Sequence, residues 1–285
     1  MYIIKLPAFF SLRGVNLKES VNAINKLIYY KNKTLSLDFS EIKEMSKGEL
    51  LVLYAQLEKS ILTNQNKIYR IGKLPSEKNV KSLLKTSEKI FHINKQISIS
   101  EISEPDKEKL LNPNLIDLIV KDLKKIGIKE YFTPFYEFLT ELIGNAVEHG
   151  IENKNINWWL TQEIDTKKRT IKFSFVDMGS GIINTHKKAG LPFKYYFLND
   201  SKIVLDAFKG TLGSSTKQSN RGKGLPQLMS MIENEYISNL VLITNNVYLR
   251  YENGVFVEAS NPNFIGTYFS WSIDQNNYLK WKKLK

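Results

Sequence analysis

Cysteine is absent from the 285 residues, which removes disulfide frameworks, thiolate nucleophiles and cysteine-based zinc sites at one stroke. Arginine is nearly absent too, at five of the 41 basic residues. Bidentate recognition of phosphates or base edges favours arginine, so the net charge of +12 argues for a lysine-rich solvated surface and against a nucleic-acid partner. The lysines are scattered, as at Lys31, Lys33, Lys43, Lys47 and Lys59, and form no basic helix face interleaved with aromatics. No run approaches the roughly 18 uninterrupted apolar residues of a membrane span. The apolar stretch 1–12 is broken by Lys5 and Pro7 and carries no small-residue cleavage pattern, so it reads as a strand and not as a signal peptide. These absences together lead us to expect a soluble, cytoplasmic protein with no membrane partner.

What is present is ordinary globular material, with 42% apolar and 25% charged residues, enough to bury real cores. The length has room for two domains of roughly 100–200 residues each at most. Residues 1–100 alternate strand and helix patterns: strand 2–10, helix 17–30, strand 34–39, amphipathic helix 47–62, strand 67–71, helix 76–91 and strand 96–100. Such alternation predicts helices layered on a sheet. Residues 101–114, with Pro105 and Pro113 among charges, read as a linker. Helices at 115–126 and 134–149 then precede strands at 156–164 and 170–176. A long irregular stretch, 181–224, carries a helix at 201–209 and leads into a helix at 225–235. Strands at 240–244, 247–251, 255–259 and 267–273 follow, with Asn253-Gly254 as a hairpin turn. The expected class is α+β: an α/β domain over 1–100, then a sandwich over 115–285 with one mixed open sheet.

Three local patterns in the second half carry chemistry. On the helix that Thr133 and Pro134 open, Glu137, Glu141, Asn145 and His149 repeat every four residues and share one edge, beside the apolar stripe Phe135, Phe138, Leu139, Leu142, Ile143 and Ala146. The strand 170–176 then delivers Asp177, followed by Gly179 and Gly181, which let backbone approach a flat ligand while the carboxylate accepts from its amino group. Last, Arg221-Gly222-Lys223-Gly224-Leu225-Pro226 stands directly before a helix, where bare N–H groups and the helix dipole favour phosphates. Each pattern alone is commonplace: a solvated helix face, a turn, a linker.

In series they are not. Glu-x-x-x-Asn, Asp-x-Gly-x-Gly, Gly-x-Gly-Leu before a helix, and Gly266-Thr267 entering a last strand resemble the nucleotide site of the GHKL ATPases, the class of gyrase, heat-shock chaperones, histidine kinases and MutL. Glu141 to Gly150 is most similar to that motif in anti-sigma-type kinases. The resemblance spans residues 115–273 and implies a Bergerat-type ATP site. Asn145 would coordinate Mg2+ across the ATP phosphates, and Glu141 would orient or deprotonate the attacking water or hydroxyl. Asp177 would hold the adenine amino group, with Gly179 and Gly181 allowing close packing and Thr267 in support. Gly222, Gly224 and Leu225 would line the triphosphate, and Arg221 or Lys223 would offset its charge. Gly213, Ser214, Ser215 and Thr216 would belong to a lid. The stretch 184–209 is longer than in minimal anti-sigma kinases. His92 lacks the adjacent acid of a phosphoacceptor box, which disfavours autophosphorylation on histidine.

The first half resembles a STAS domain more faintly, through Leu35-Ser36-Leu37-Asp38-Phe39-Ser40, the turn Ser46-Lys47-Gly48 and the helix after it. That resemblance implies phosphorylation at Ser46, although Met45 stands where an aspartate is usual; the alternative is a serine that caps the helix. Function is left among three classes: a protein serine kinase, an ATP-hydrolysing switch, or a nucleotide-gated binding module with negligible turnover, for which nucleic acid stays open as a target. A regulatory protein partner or a homodimer is expected.

Overall fold

The computed structural model describes residues 1–85, 96–97, 113–150, 158–212 and 224–283. The chain divides into two compact units, Met1–Lys107 and Glu108–Lys285. The class is α+β, with one four-stranded sheet in each unit.

In the first unit β1 (Tyr2–Lys5), β2 (Thr34–Asp38) and β3 (Lys67–Ile71) run parallel. A short antiparallel β4 (Gln96–Ile97) closes the sheet. The expected first strand is shorter than 2–10, because Pro7 interrupts it and the chain rejoins only through a bridge between Phe9 and Glu44. Helices α1 (Leu17–Tyr29) and α2 (Lys47–Asn64) pack together. The end of α1 is finished in trans: Asn66 Nδ2 donates to the Leu27 and Tyr30 carbonyls at 3.2 and 2.8 Å, which satisfies groups that a helix end leaves open. Ser46 precedes α2, and its backbone N–H donates to Glu49 Oε2 at 2.8 Å in a capping box. The geometry at Ser46 is therefore that of a helix cap. Helix α3 (Lys78–Lys85) is the described part of the helix expected at 76–91. His92 and most of the expected linker lie outside the described residues.

The second unit is built on an antiparallel sheet in the order β5-β6-β8-β7, from β5 (Trp158–Asp165), β6 (Thr170–Asp177), β7 (Ser238–Glu252) and β8 (Val255–Asp274). Every pairing among the described strands is antiparallel, where a mixed sheet was expected. Hairpins set the direction twice, through the turn after Asp165 and through Asn253-Gly254. That second turn has φ of 49° and 82°, the doubly left-handed geometry that matches strand twist. The four short strands read at 240–273 are in fact two long ones. Bulges near Val241 and Asn245 absorb the polar interruptions without ending the ladder.

Helices α4 (Pro113–Lys125), α5 (Thr133–Gly150), α6 (Ile182–Ala189), α7 (Asp200–Phe208), α8 (Gly224–Glu233) and α9 (Gln275–Lys282) complete the unit. Two of them went unread in the sequence: α6, in a stretch expected to be irregular, and α9. Helix α5 lays its apolar stripe on the sheet. Phe135 meets Phe173 at 5.1 Å between ring centres, Phe138 meets Trp271 at 5.3 Å, and those two partners stack at 5.5 Å across β6 and β8. Each of these four rings is at most 1% exposed, so α5 is fixed by burial of large apolar surface. Helix α8 packs beside α5 and adds Leu228, Met231 and Ile232 to the same core.

Candidate functional site

One rung crosses the whole second sheet: Trp158 pairs with Asp177, Asp177 with Thr267, and Thr267 with Thr244. It lies where β6 ends, and the chain turns there through Met178 to Gly181. Asp177 Oδ1 accepts from the Gly179 N–H at 2.9 Å, an Asx-type turn in which the carboxylate organises its own loop. Gly266, just before Thr267 on β8, has φ of 102°, and any Cβ there would overlap the Asp177 carbonyl oxygen. Only glycine permits this closeness of the two backbones. Thr267 is 5% exposed, so the residue paired with Asp177 on this rung is buried.

Gly181 is fixed by a different contact. Its φ is 81°, and a Cβ would fall 2.5 Å from Asn245 Oδ1. That amide bridges outward: Asn245 Nδ2 donates to the Ser180 carbonyl at 3.0 Å, and Oδ1 accepts from Ile183 N–H at 3.1 Å. Thr244 Oγ1 accepts from Ile182 N–H at 2.9 Å. Thr244 and Asn245 thus cap α6 from a bulge on β7, with Asn245 held at φ of 50°. Sequence reading missed both residues. The Thr-Asn-Asn run at 244–246 hinted at a bulge, but nothing local to it points to a helix start some 60 residues earlier.

Of the expected site residues, the structure brings together Asp177, Gly179, Gly181 and Thr267. Glu141 and Asn145 lie one turn apart on α5, both half-buried. Leu225 packs against the core from the first turn of α8, which begins at Gly224. Pro226 of the same turn lies against Gly210, its Cγ 3.3 Å from where a Cβ on that glycine would stand. Gly213, Ser214, Ser215, Thr216, Arg221, Gly222 and Lys223 fall outside the described residues, as does the side chain of His149.

Between α6 and α8 the charged groups of the chain gather at Asp206 on α7. Its Oδ2 accepts from the Tyr195 hydroxyl at 3.0 Å and its Oδ1 pairs with Lys202 at 2.9 Å. Burial pushes the Asp206 carboxyl up, but hydrogen bonds from Lys202 and Tyr195 and the charges of Lys202 and Lys209 outweigh it and hold the group below its ordinary value. Among the described residues no group of three or more His, Asp or Glu is placed to hold a metal ion. Nor is any described helix long and apolar enough to cross a membrane. No protein-family model matches the chain, and no curated protein matches it in sequence.

Proposed function

We propose that the second unit is a Mg2+-dependent ATP-binding domain with the Bergerat layout of the GHKL class, and that the protein is regulatory, using ATP to switch conformation or to phosphorylate a protein serine. The observation that carries this reading is the rung at the end of β6. Asp177, followed by Gly179 and Gly181 in its turn and set directly across from Thr267, is a half-buried carboxylate where β6 ends. Such a place suits a flat heterocycle whose amino group donates to the carboxylate. Helices α5 and α8, packed side by side, bring Glu141 and Asn145 into the same layer as the glycine-led start of α8. A magnesium ion here would draw on Asn145 and on phosphate and water oxygens, the pattern usual for this cation, and needs no cage of carboxylates. The first unit, with its mostly parallel sheet and capped α2, serves in this reading as a STAS-like interaction domain.

Calorimetric titration with ATP and Mg2+ tests the reading through Asp177→Asn. Asparagine keeps an oxygen for the Gly179 N–H, so the turn survives, while the charged acceptor for adenine is lost. We expect affinity to fall by roughly 1–3 kcal/mol, with GTP bound poorly by both forms. Equal ATP affinity in the two proteins would remove Asp177 from the site.

A further inference from the structure

Between α6 and α7 the chain displays aromatic side chains to solvent. Phe193 is 77% exposed, Tyr196 59%, Phe197 74% and Leu198 42%. Phe193 and Phe197 meet edge to face at 5.0 Å between ring centres, so they form one patch. Single exposed apolar residues are ordinary, but four within six positions mark an interaction surface.

The turn that presents them is braced. Leu191 and Tyr195 of the same stretch are buried, at 8% and 3% exposed, and Tyr195 is tied through its hydroxyl to Asp206. A braced, aromatic-rich turn loses little conformational freedom on binding. Charge surrounds it unevenly. From Lys187 to Lys209 the sequence has five lysines, at 187, 188, 194, 202 and 209, against two aspartates. Both aspartates are already neutralised, Asp200 by Lys187 at 3.2 Å and Asp206 by Lys202 at 2.9 Å. Lys188 donates to Ser180 Oγ at 3.0 Å, and Lys194 lies over the Tyr195 ring. An exposed apolar cluster within a stretch where lysines outnumber aspartates suits a protein interface whose partner is acidic.

We propose that residues 193–198 anchor a docking surface for an acidic segment of another protein, one whose aromatic or leucine side chains seat against Phe193 and Phe197 while its carboxylates meet Lys188 and Lys194. A second copy of this chain fits poorly, because a two-fold contact sets the same patch against itself and would oppose lysine to lysine. The proposal stands independently of the nucleotide reading.

The test uses the full chain and a fluorescein-labelled synthetic peptide in which glutamates alternate with phenylalanine and leucine, read by fluorescence anisotropy. Parallel arms hold phosphatidylserine-containing vesicles, oligothymidylate, and sedimentation of the protein alone. Phe193→Ser combined with Phe197→Ser should weaken peptide binding about tenfold or more, as loss of central aromatic anchors does. Lys188→Glu combined with Lys194→Glu should weaken it too and flatten its salt dependence. All four positions are exposed, so the melting temperature should not move, and ATP affinity should be unchanged in the double phenylalanine variant. Unaltered peptide affinity in both double variants overturns the proposal. So does a loss seen instead in vesicle binding, oligonucleotide binding or self-association, each of which names a different occupant.

Discussion

The side-chain amide of Asn245 accepts from the backbone N–H of Ile183 at 3.1 Å, so a bulge residue on β7 supplies the cap that Gly181, the residue preceding α6, has no side chain to give. Asn245→Ala should therefore unwind the start of α6 and release the Ser180 carbonyl. The expected cost is about 1–2 kcal/mol, measured by chemical denaturation. Asn245→Asp keeps the acceptor but not the donor to Ser180, and should fall between. If alanine and aspartate cost the same, the cap contributes nothing.

Two glycines should respond in opposite directions. Gly266→Ala places a methyl group against the Asp177 carbonyl at φ of 102° and should destabilise the protein by roughly 2–4 kcal/mol. Gly144→Ala on α5 meets nothing within 4 Å and removes a helix-interior glycine, so it should stabilise by about 0.5–1 kcal/mol. Thermal melts of the two variants, run together, decide this.

Within the ATP reading, Glu141 and Asn145 should separate cleanly. Glu141→Ala should leave ATP affinity close to the parent while phosphate release falls about a hundredfold or more, the usual worth of a general base. Asn145→Ala should lose Mg2+-dependent affinity first. Malachite-green turnover beside calorimetry reads both. Should the parent protein bind ATP yet turn none over, Glu141 has no catalytic task and the domain is a gated binder.

Acid should loosen the braced aromatic turn. The folded Asp206 carboxyl titrates below its unfolded value, so its contribution is fully present above the unfolded value and disappears as pH falls through the folded one. Asp206→Asn should be less stable than the parent near neutral pH, and the gap between the two should shrink under acid. Stability curves that stay parallel down to strongly acidic pH would show that Tyr195 and Lys202 lend the carboxylate nothing.

The elements with their own local signal were legible in the sequence. Helix α5 has threonine and proline at its start and an apolar stripe, and each half of the β7-β8 hairpin alternates around Asn253-Gly254. The order Glu141, Asn145, Asp177, Gly179, Gly181, Thr267 was legible as a series, but the rung that sets Thr244, Thr267 and Asp177 in line was not, since register joins residues far apart in sequence. Helix α6 was hidden for a related reason: its caps come from Thr244 and Asn245. Helix α9 did carry a signal, because Asp274 and Asn277 exchange hydrogen bonds at 2.9 and 3.0 Å, an Asp-x-x-Asn version of the capping box. The bulged continuity of β7 and β8 was masked by asparagines and Pro262, which in isolation read as loop.

The hairpin of β7 and β8 runs on past the sheet, since β6 pairs only with Thr267 through Asp274, and its tip at Glu252 to Val255 is exposed. For protein engineering the tip is a natural handle. Exposed tips tolerate inserted sequence, and this one is joined by a two-stranded ribbon, bulged at Asn245, to the segments that carry Thr244 and Thr267. A fluorophore or epitope grafted between Asn253 and Gly254 would therefore leave the rung itself untouched while riding on the same pair of strands, a reporter position for whatever Asp177 binds.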